Sequence, residues 1–222
     1  MISANKLIIV AWSLVPWFCM LAGLHYFHSI LWTFFLYHGC CAIPAIIWKR
    51  HHWSKHLSRP TARQLIILLV AALLFGAYTY YAYHLVGTHI FNKQRALASL
   101  NFRGFRPDWL IPMSIYFVTI NPLIEELFWR GVVLNELSSR DTKIFSLPVL
   151  WTNFLFAAWH VMVVRLFVAP LFLYVGFMIV LSVGVYLSWM YRKTDSLVLP
   201  ALWHGLVFDL AVVILLWSVV LG

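Results

Sequence analysis

The feature that most constrains this chain is a series of seven apolar stretches, each long enough to form a helix across a lipid bilayer. A spanning helix needs about 20 consecutive and mostly apolar residues. The stretches that meet this requirement are approximately Leu7–Leu24, Ser29–Trp48, Gln64–Val86, Leu110–Leu137, Phe145–Phe167, Pro170–Tyr191 and Leu197–Leu221. We therefore predict an all-α fold, a polytopic transmembrane bundle of about seven spanning helices that forms a single integral membrane domain over residues 1–222.

The composition agrees with a protein that is surrounded by lipid. Of the 222 residues, 63% are hydrophobic and only 10% are charged, whereas a soluble domain is about half apolar and about a quarter charged. The net charge of +9 does not indicate a nucleic-acid partner, because the basic residues lie between the apolar stretches, most densely in Lys49–Arg63. Loops that contact anionic lipid headgroups explain this pattern.

The basic residues also predict the orientation, since cytoplasmic loops carry more Lys and Arg. Ten of them fall on the side of the Lys49–Arg63 loop and five on the opposite side. We expect a cytoplasmic N-terminus, and the small size and short loops favour the inner (cell) membrane of a prokaryote. The basic segment Phe91–Trp109 is compatible with an additional interfacial helix that lies on the membrane.

Three acidic residues, Glu125, Glu126 and Asp209, fall well inside predicted spans, where a charge costs at least about 2.5–3.5 kcal/mol. Arg130 follows Glu126 by one helical turn, in the order that favours an ion pair. Glu125 points about 100° away from Glu126 and has no local partner, which makes it a candidate general base. In a purely structural alternative, both glutamates pair with basic groups of other helices and only fix the packing.

Two histidines, His160 and His204, also lie inside predicted spans. Ionisable groups within a membrane face the interior of the helix bundle and mark functional sites by default. Two such imidazoles, together with an unpaired glutamate on a third helix, indicate a shared polar cavity.

These residues resemble the motifs of a known family, the CPBP (or ABI) family of CAAX prenyl proteases and bacteriocin-processing or self-immunity enzymes. Its first motif, Glu-Glu-x-x-x-Arg, is matched within the run Asn121–Gly131, and its second, Phe-x-x-x-His, by Phe156 and His160. The third is a histidine in the last core helix, followed four residues on by Asn or Asp. His204 matches this histidine, but Phe208 stands four residues on and the nearest acid, Asp209, stands five on. The resemblance covers a core of about residues 110–215.

The departure at Asp209 matters because one helical step rotates a side chain by about 100°. Asp209 therefore need not occupy the place of the family's Asn or Asp. A wider, π-type turn would bring it back to that place.

The resemblance implies an intramembrane endopeptidase with a metal-independent glutamic mechanism and no cofactor. Glu125 and His160 would activate a water molecule, and His204, helped by Asp209, would stabilise the oxyanion. Glu126 and Arg130 would hold their helix in place. The implied partners are the lipid bilayer and a peptide or protein substrate that is cleaved near its membrane-associated end, such as a lipid-modified CAAX tail, a bacteriocin leader or a sorting tail.

Other functions are compatible with the same residues. Glu125, His160 and His204 are suitable zinc ligands, although the sequence contains no His-Glu-x-x-His, so a zinc-dependent membrane peptidase is one alternative. A non-catalytic immunity or scaffold protein is another. A transporter is a third, although no pair of helices shows matched Gly or Pro interruptions.

Overall fold

A computed structural model describes residues 4–139 and 143–221. Seven of its helices are long and apolar enough to cross a membrane, which confirms the predicted number and the all-helical class. A shorter helix, Lys93–Phe102, falls within the segment for which the sequence suggested an extra helix. In chain order the eight helices are α1 (Ala4–Tyr26), α2 (Ile30–Trp48), α3 (Ala62–Gly87), α4 (Lys93–Phe102), α5 (Pro107–Leu137), α6 (Leu147–Val164), α7 (Pro170–Thr194) and α8 (Val198–Leu221).

The connections are short and partly helical. Short helical turns cover Arg50–Trp53, Ser54–His56 and Thr88–Ile90. Among the described residues there is no strand, and only two isolated antiparallel bridges occur, Leu57 with Ser196 and Phe91 with Val168.

Helix starts follow the local sequence. Thr61 begins α3 with a capping box, in which its side chain accepts a hydrogen bond from the backbone of Gln64 and its own backbone N–H donates to the Gln64 side chain. The hydroxyl of Ser29 accepts from the backbone of Trp32 at the start of α2. These caps satisfy N–H groups that the first helical turn leaves without partners.

The loops contact one another at both ends of the bundle, as alternating helix directions require. At one end, Lys49 after α2 bonds Glu136 of α5 at 3.1 Å, and the backbone N–H of Leu197 donates to the carbonyl of His56. At the other end, Ala169 donates to the carbonyl of Ile90. The loops that the sequence analysis assigned to one side of the membrane therefore lie at one end of the bundle.

Several spans contain a stretch with the wider hydrogen-bonding pattern of a π-helix. The stretches are Leu21–Tyr26, Phe35–Ala42, Tyr83–Gly87, Leu127–Leu134 and His204–Asp209. Such turns occur frequently at functional sites. Two of them contain residues singled out by the sequence, since Arg130 lies in the fourth stretch and both His204 and Asp209 lie in the fifth.

The packed interior and the lipid-facing surface are clearly separated. The largest group of buried apolar residues is centred on α2, α5 and α6 and includes Tyr37, Phe128, Trp129, Phe156 and Trp159. Large apolar side chains on the outside of the bundle are exposed, as a lipid environment allows; on α3, Leu73 and Leu74 are examples.

Gly205 allows α8 to pack closely on α5. A Cβ at this position would overlap the carbonyl oxygen of Val118 and lie 2.9 Å from Cγ of Pro122. Because backbone atoms cannot move aside as a flexible side chain can, only glycine fits at this contact.

We expect Gly205→Ala to lower the thermal unfolding temperature of the purified protein, at a cost of about 1–3 kcal/mol for overpacking. Gly39→Ala is the matched control, because its nearest neighbour, the Phe35 ring, is 3.4 Å away, and alanine favours a helix over glycine by about 1 kcal/mol. Equal unfolding temperatures for the two variants would show that the contact between α5 and α8 is not tight.

Candidate active site

Glu125 and Glu126 lie deep in α5 and have different surroundings. Glu126 is fully buried, and its Oε1 accepts hydrogen bonds from Nη1 of Arg130 and from Nδ1 of His204, each at 2.8 Å. Glu125 is 1% exposed, and neither of its carboxylate oxygens has a hydrogen-bond partner among the described residues. The adjacent acids are therefore one engaged carboxylate and one free carboxylate.

Arg130 joins three helices at one point. Besides its ion pair with Glu126, its Nη2 donates to the backbone carbonyl of Gly184 in α7 at 2.9 Å and to Oδ1 of Asn153 in α6 at 3.3 Å. Its guanidinium also lies over the Phe156 ring, 4.5 Å from the ring centre. A planar guanidinium with several donors is suited to such a junction.

His204 on α8 lies among three carboxylates. Its Nδ1 donates to Glu126, while its Nε2 faces Oδ1 of Asp209 at 3.5 Å and Oε2 of Glu125 at 3.9 Å. The carboxylate of Glu126 thus orients the imidazole, as the buried acid does in many hydrolase sites. From the sequence alone, Glu126 is expected only to hold its own helix in place, and its hydrogen bond with His204 is found only in the structure.

Asp209 lies in the same buried cluster because of the wide turn His204–Asp209. This turn brings residue five after His204 onto the same face of α8, while the intervening Phe208 packs against Phe75 of α3 and Tyr186 of α7. Oδ2 of Asp209 accepts a hydrogen bond of 3.0 Å from Nδ2 of Asn121. The π-type turn that Asp209 needs in order to lie on the same side of the helix as His204 is therefore present.

His160 on α6 is half-buried and has a defined ring orientation. Its Nδ1 donates to the carbonyl of Phe156, one turn back, at 2.6 Å, and its ring stacks on Trp159. The neutral imidazole then carries its lone pair on Nε2. No carboxylate of the described residues lies within 4 Å of this histidine, so His160 and Glu125 are not in direct contact.

The depths of Glu125 and His160 nevertheless agree. At about 1.5 Å per residue, Glu125 lies about 18 Å from the end of α5, and His160 lies about 20 Å from the start of α6. Leu134 near the end of α5 and Val149 near the start of α6 belong to one buried apolar cluster, so these helix ends are on the same side of the bundle. Both residues lie well inside the spanning region.

Phe156 explains the spacing of the second motif. Its carbonyl fixes His160, and its ring contacts Arg130 and meets His204 edge to face, with 5.8 Å between ring centres. One residue thus contacts both histidines and the arginine.

Residues 4–139 and 143–221 contain no group of three or more His, Cys, Asp or Glu side chains arranged to hold a metal ion.

Several polar residues around this cluster are not among the site residues predicted from the sequence. Asn153 is fully buried and accepts from Arg130 and from Ser188 of α7, Asn121 bonds Asp209, and the hydroxyl of Tyr37 accepts from Nε1 of Trp129 at 2.9 Å. A polar amide inside an apolar span was a usable signal for both asparagines. Tyr37 gave no such signal, because tyrosine is common in membrane helices.

The segment that carries most of this cluster is similar to a known family, and Asp209 lies one residue beyond that segment. Residues 107–208 match the family described as type II CAAX prenyl endopeptidase, Rce1-like. No curated protein and no solved structure matches the chain. Residues 107–208 are therefore a match to the domain of Rce1-like type II CAAX prenyl endopeptidases.

Proposed function

We propose that this protein is an intramembrane endopeptidase in which Glu125 and His160 activate the attacking water. The observation that carries the proposal is that Glu125 is a buried carboxylate whose two oxygens have no hydrogen-bond partner among the described residues. Arg130, one turn further on, bonds Glu126 instead. Burying a charged group without hydrogen bonds is costly. Such a group is retained where its oxygens have a chemical task, and the match of residues 107–208 to an endopeptidase family supports peptide hydrolysis as that task.

The proposed reaction begins with a water molecule between Glu125 and Nε2 of His160. Glu125 accepts one proton from the water while Nε2 of His160 accepts a hydrogen bond from it. The water oxygen bonds to the carbonyl carbon of the scissile peptide, and the carbonyl π electrons move onto the carbonyl oxygen. The tetrahedral intermediate then collapses, the C–N bond breaks, and the proton passes to the leaving amine. A carboxylate and an imidazole are effective general acid–base groups for these transfers.

The proposed oxyanion donor is His204. Its Nδ1 is held by Glu126, so Nε2–H is directed towards the space between Glu125 and Asp209. A donor that is oriented before the reaction contributes about 2.7–4 kcal/mol to transition-state stabilisation. Arg130 and Glu126 keep this donor in place through their contacts on α6, α7 and α8.

The proposed substrate is a peptide or protein that is cleaved near its membrane-associated end. Glu125 and His160 lie about 18–20 Å from one end of the bundle, so a scissile bond has to enter the spanning region to reach them. A segment that carries a lipid or an apolar anchor can do so. A prenylated CAAX peptide, the substrate class named in the family description, is the first probe to use.

The test is cleavage of a fluorescence-quenched prenylated CAAX peptide, and of unprenylated membrane-anchored peptides, by the protein in proteoliposomes. We expect cleavage of at least one probe, with a rate that 1,10-phenanthroline and EDTA leave unchanged. Activity that is lost in chelators and restored by Zn²⁺ would instead support a zinc peptidase that uses Glu125, His160 and His204. A biological effect that survives simultaneous replacement of Glu125 and His160 would support a non-catalytic scaffold or immunity protein.

A further inference from the structure

Asn121 is a buried amide in the apolar helix α5, one turn before Glu125. It is 5% exposed, and its Nδ2 donates to Oδ2 of Asp209 at 3.0 Å, which links α5 to α8. An amide in such surroundings is costly unless it is hydrogen-bonded. The contact therefore explains why this position tolerates a polar side chain.

Asp209 depends on this amide. It is 9% exposed, and in the described part of the chain its hydrogen-bond and ion-pair partners are Asn121 at Oδ2 and His204 at Oδ1. The nearby guanidinium of Arg130 is occupied by Glu126, Asn153 and Gly184. Asn121 is thus the donor that fixes the carboxylate oxygen facing away from His204.

His204 is consequently held on both sides by pairs that begin on α5. At Nδ1 it bonds Glu126, which is held by Arg130. At Nε2 it faces Asp209, which is held by Asn121. The wide turn directs Phe208 towards α3 and α7 and directs Asp209 towards His204 and Asn121.

We propose that Asn121 is a positioning residue of the active site, which holds Asp209 against His204 and so directs the Nε2 edge of the imidazole at the reacting carbonyl. This inference rests on the proposed protease function. Displacing a group at a reacting centre by about 1 Å can lower the rate about 100-fold. Asn121 therefore acts on the chemical step through Asp209 and His204, without contacting the substrate itself.

The variants Asn121→Ala, Asn121→Asp and the exchange Asn121→Asp with Asp209→Asn separate positioning from simple packing. Asn121→Ala should lower kcat by about 100-fold with KM nearly unchanged. Asn121→Asp should lower kcat further, because two carboxylates then face each other. The exchange restores one amide and one carboxylate, and should raise kcat at least about tenfold above Asn121→Asp. Asn101→Ala, the same change at an exposed position of α4, is the control and should retain full activity.

The probe is the prenylated or membrane-anchored peptide that the wild-type protein cleaves fastest in the assay above. The value of kcat is expressed per folded protein, as measured by thermal unfolding and monodispersity in detergent. Wild-type kcat in Asn121→Ala, even with a lower unfolding temperature, would overturn the inference. Failure of the exchange to recover activity would also overturn it. If Glu125→Gln is inactive while Asn121→Ala is fully active, the protease proposal stands and the positioning role fails. If Glu125→Gln remains active, the glutamic mechanism fails instead.

Discussion

Replacing Glu125 with glutamine is expected to lower peptide cleavage by about 100- to 10,000-fold, the contribution of a general acid–base group, without unfolding the protein. Glutamine keeps the size of the side chain but cannot accept the proton of the attacking water. Folding should be preserved because no hydrogen bond of the described residues depends on this carboxylate. The measurement is initial cleavage rate in proteoliposomes, together with thermal unfolding of the same preparation.

Glu136→Gln is the matched control, since Glu136 lies on the same helix but bonds Lys49 at the end of the bundle. We expect this variant to cleave at the wild-type rate. Wild-type cleavage by Glu125→Gln would contradict the assignment of Glu125 as the base. Loss of folding in Glu125→Gln would show that the glutamate has a structural partner.

Replacing Arg130 with methionine is expected to destabilise the protein by about 3–5 kcal/mol, because the buried carboxylate of Glu126 loses the guanidinium and keeps only the hydrogen bond from His204. The contacts from α5 to Asn153 and to the carbonyl of Gly184 are lost as well. Activity should fall together with stability, since His204 is oriented by the same carboxylate. Thermal unfolding in detergent measures the loss.

Two further variants test this explanation. Arg106→Met removes an arginine from an exposed pair with Asp108, and exposed pairs contribute only about 0–1 kcal/mol, so its unfolding temperature should hardly change. Adding Glu126→Gln to Arg130→Met removes the unpaired charge and should recover part of the lost stability. An equally low unfolding temperature in the double variant would mean that the contacts to Asn153 and Gly184, not the ion pair, dominate.

Substitutions of Glu125 and Arg130 are therefore expected to have different effects, although the two residues lie only five positions apart on one helix. One variant loses catalysis and keeps its fold, whereas the other loses both. The difference follows from the number of contacts: the structure shows four for the Arg130 guanidinium, counting the Phe156 ring, and none at hydrogen-bonding distance for the Glu125 carboxylate.

Much of the fold could be predicted because the relevant signals are local. The length of each apolar stretch is set by bilayer thickness, so the number of spans follows from counting along the chain. The pairing of Glu126 with Arg130 was equally local, since residues four apart on a helix are neighbours. The short helix Lys93–Phe102 also fell within a segment whose basic character had suggested it.

The surroundings of His204 could not be predicted in the same way. Its contact with Glu126 joins residues that are 78 positions apart, and the contact of Asn121 with Asp209 joins residues 88 apart. Such contacts depend on which helix faces pack together, and apolar periodicity is a poor guide when every face is apolar. The close approach at Gly205, which makes these contacts reachable, also depends on the backbone of another helix.

The sequence by itself determined that this chain forms seven spanning helices and carries an acidic pair, an arginine and two histidines within them. Hydrophobic length and the cost of buried charge act on each segment separately, so they can be read without the partner helices. Only the tertiary structure decided that Glu126 holds His204, that Asp209 reaches the site through a wide turn, and that Asn121 holds it there. Those outcomes depend on helix–helix packing and on the local hydrogen-bonding pattern of α8, neither of which a linear pattern of residue types specifies.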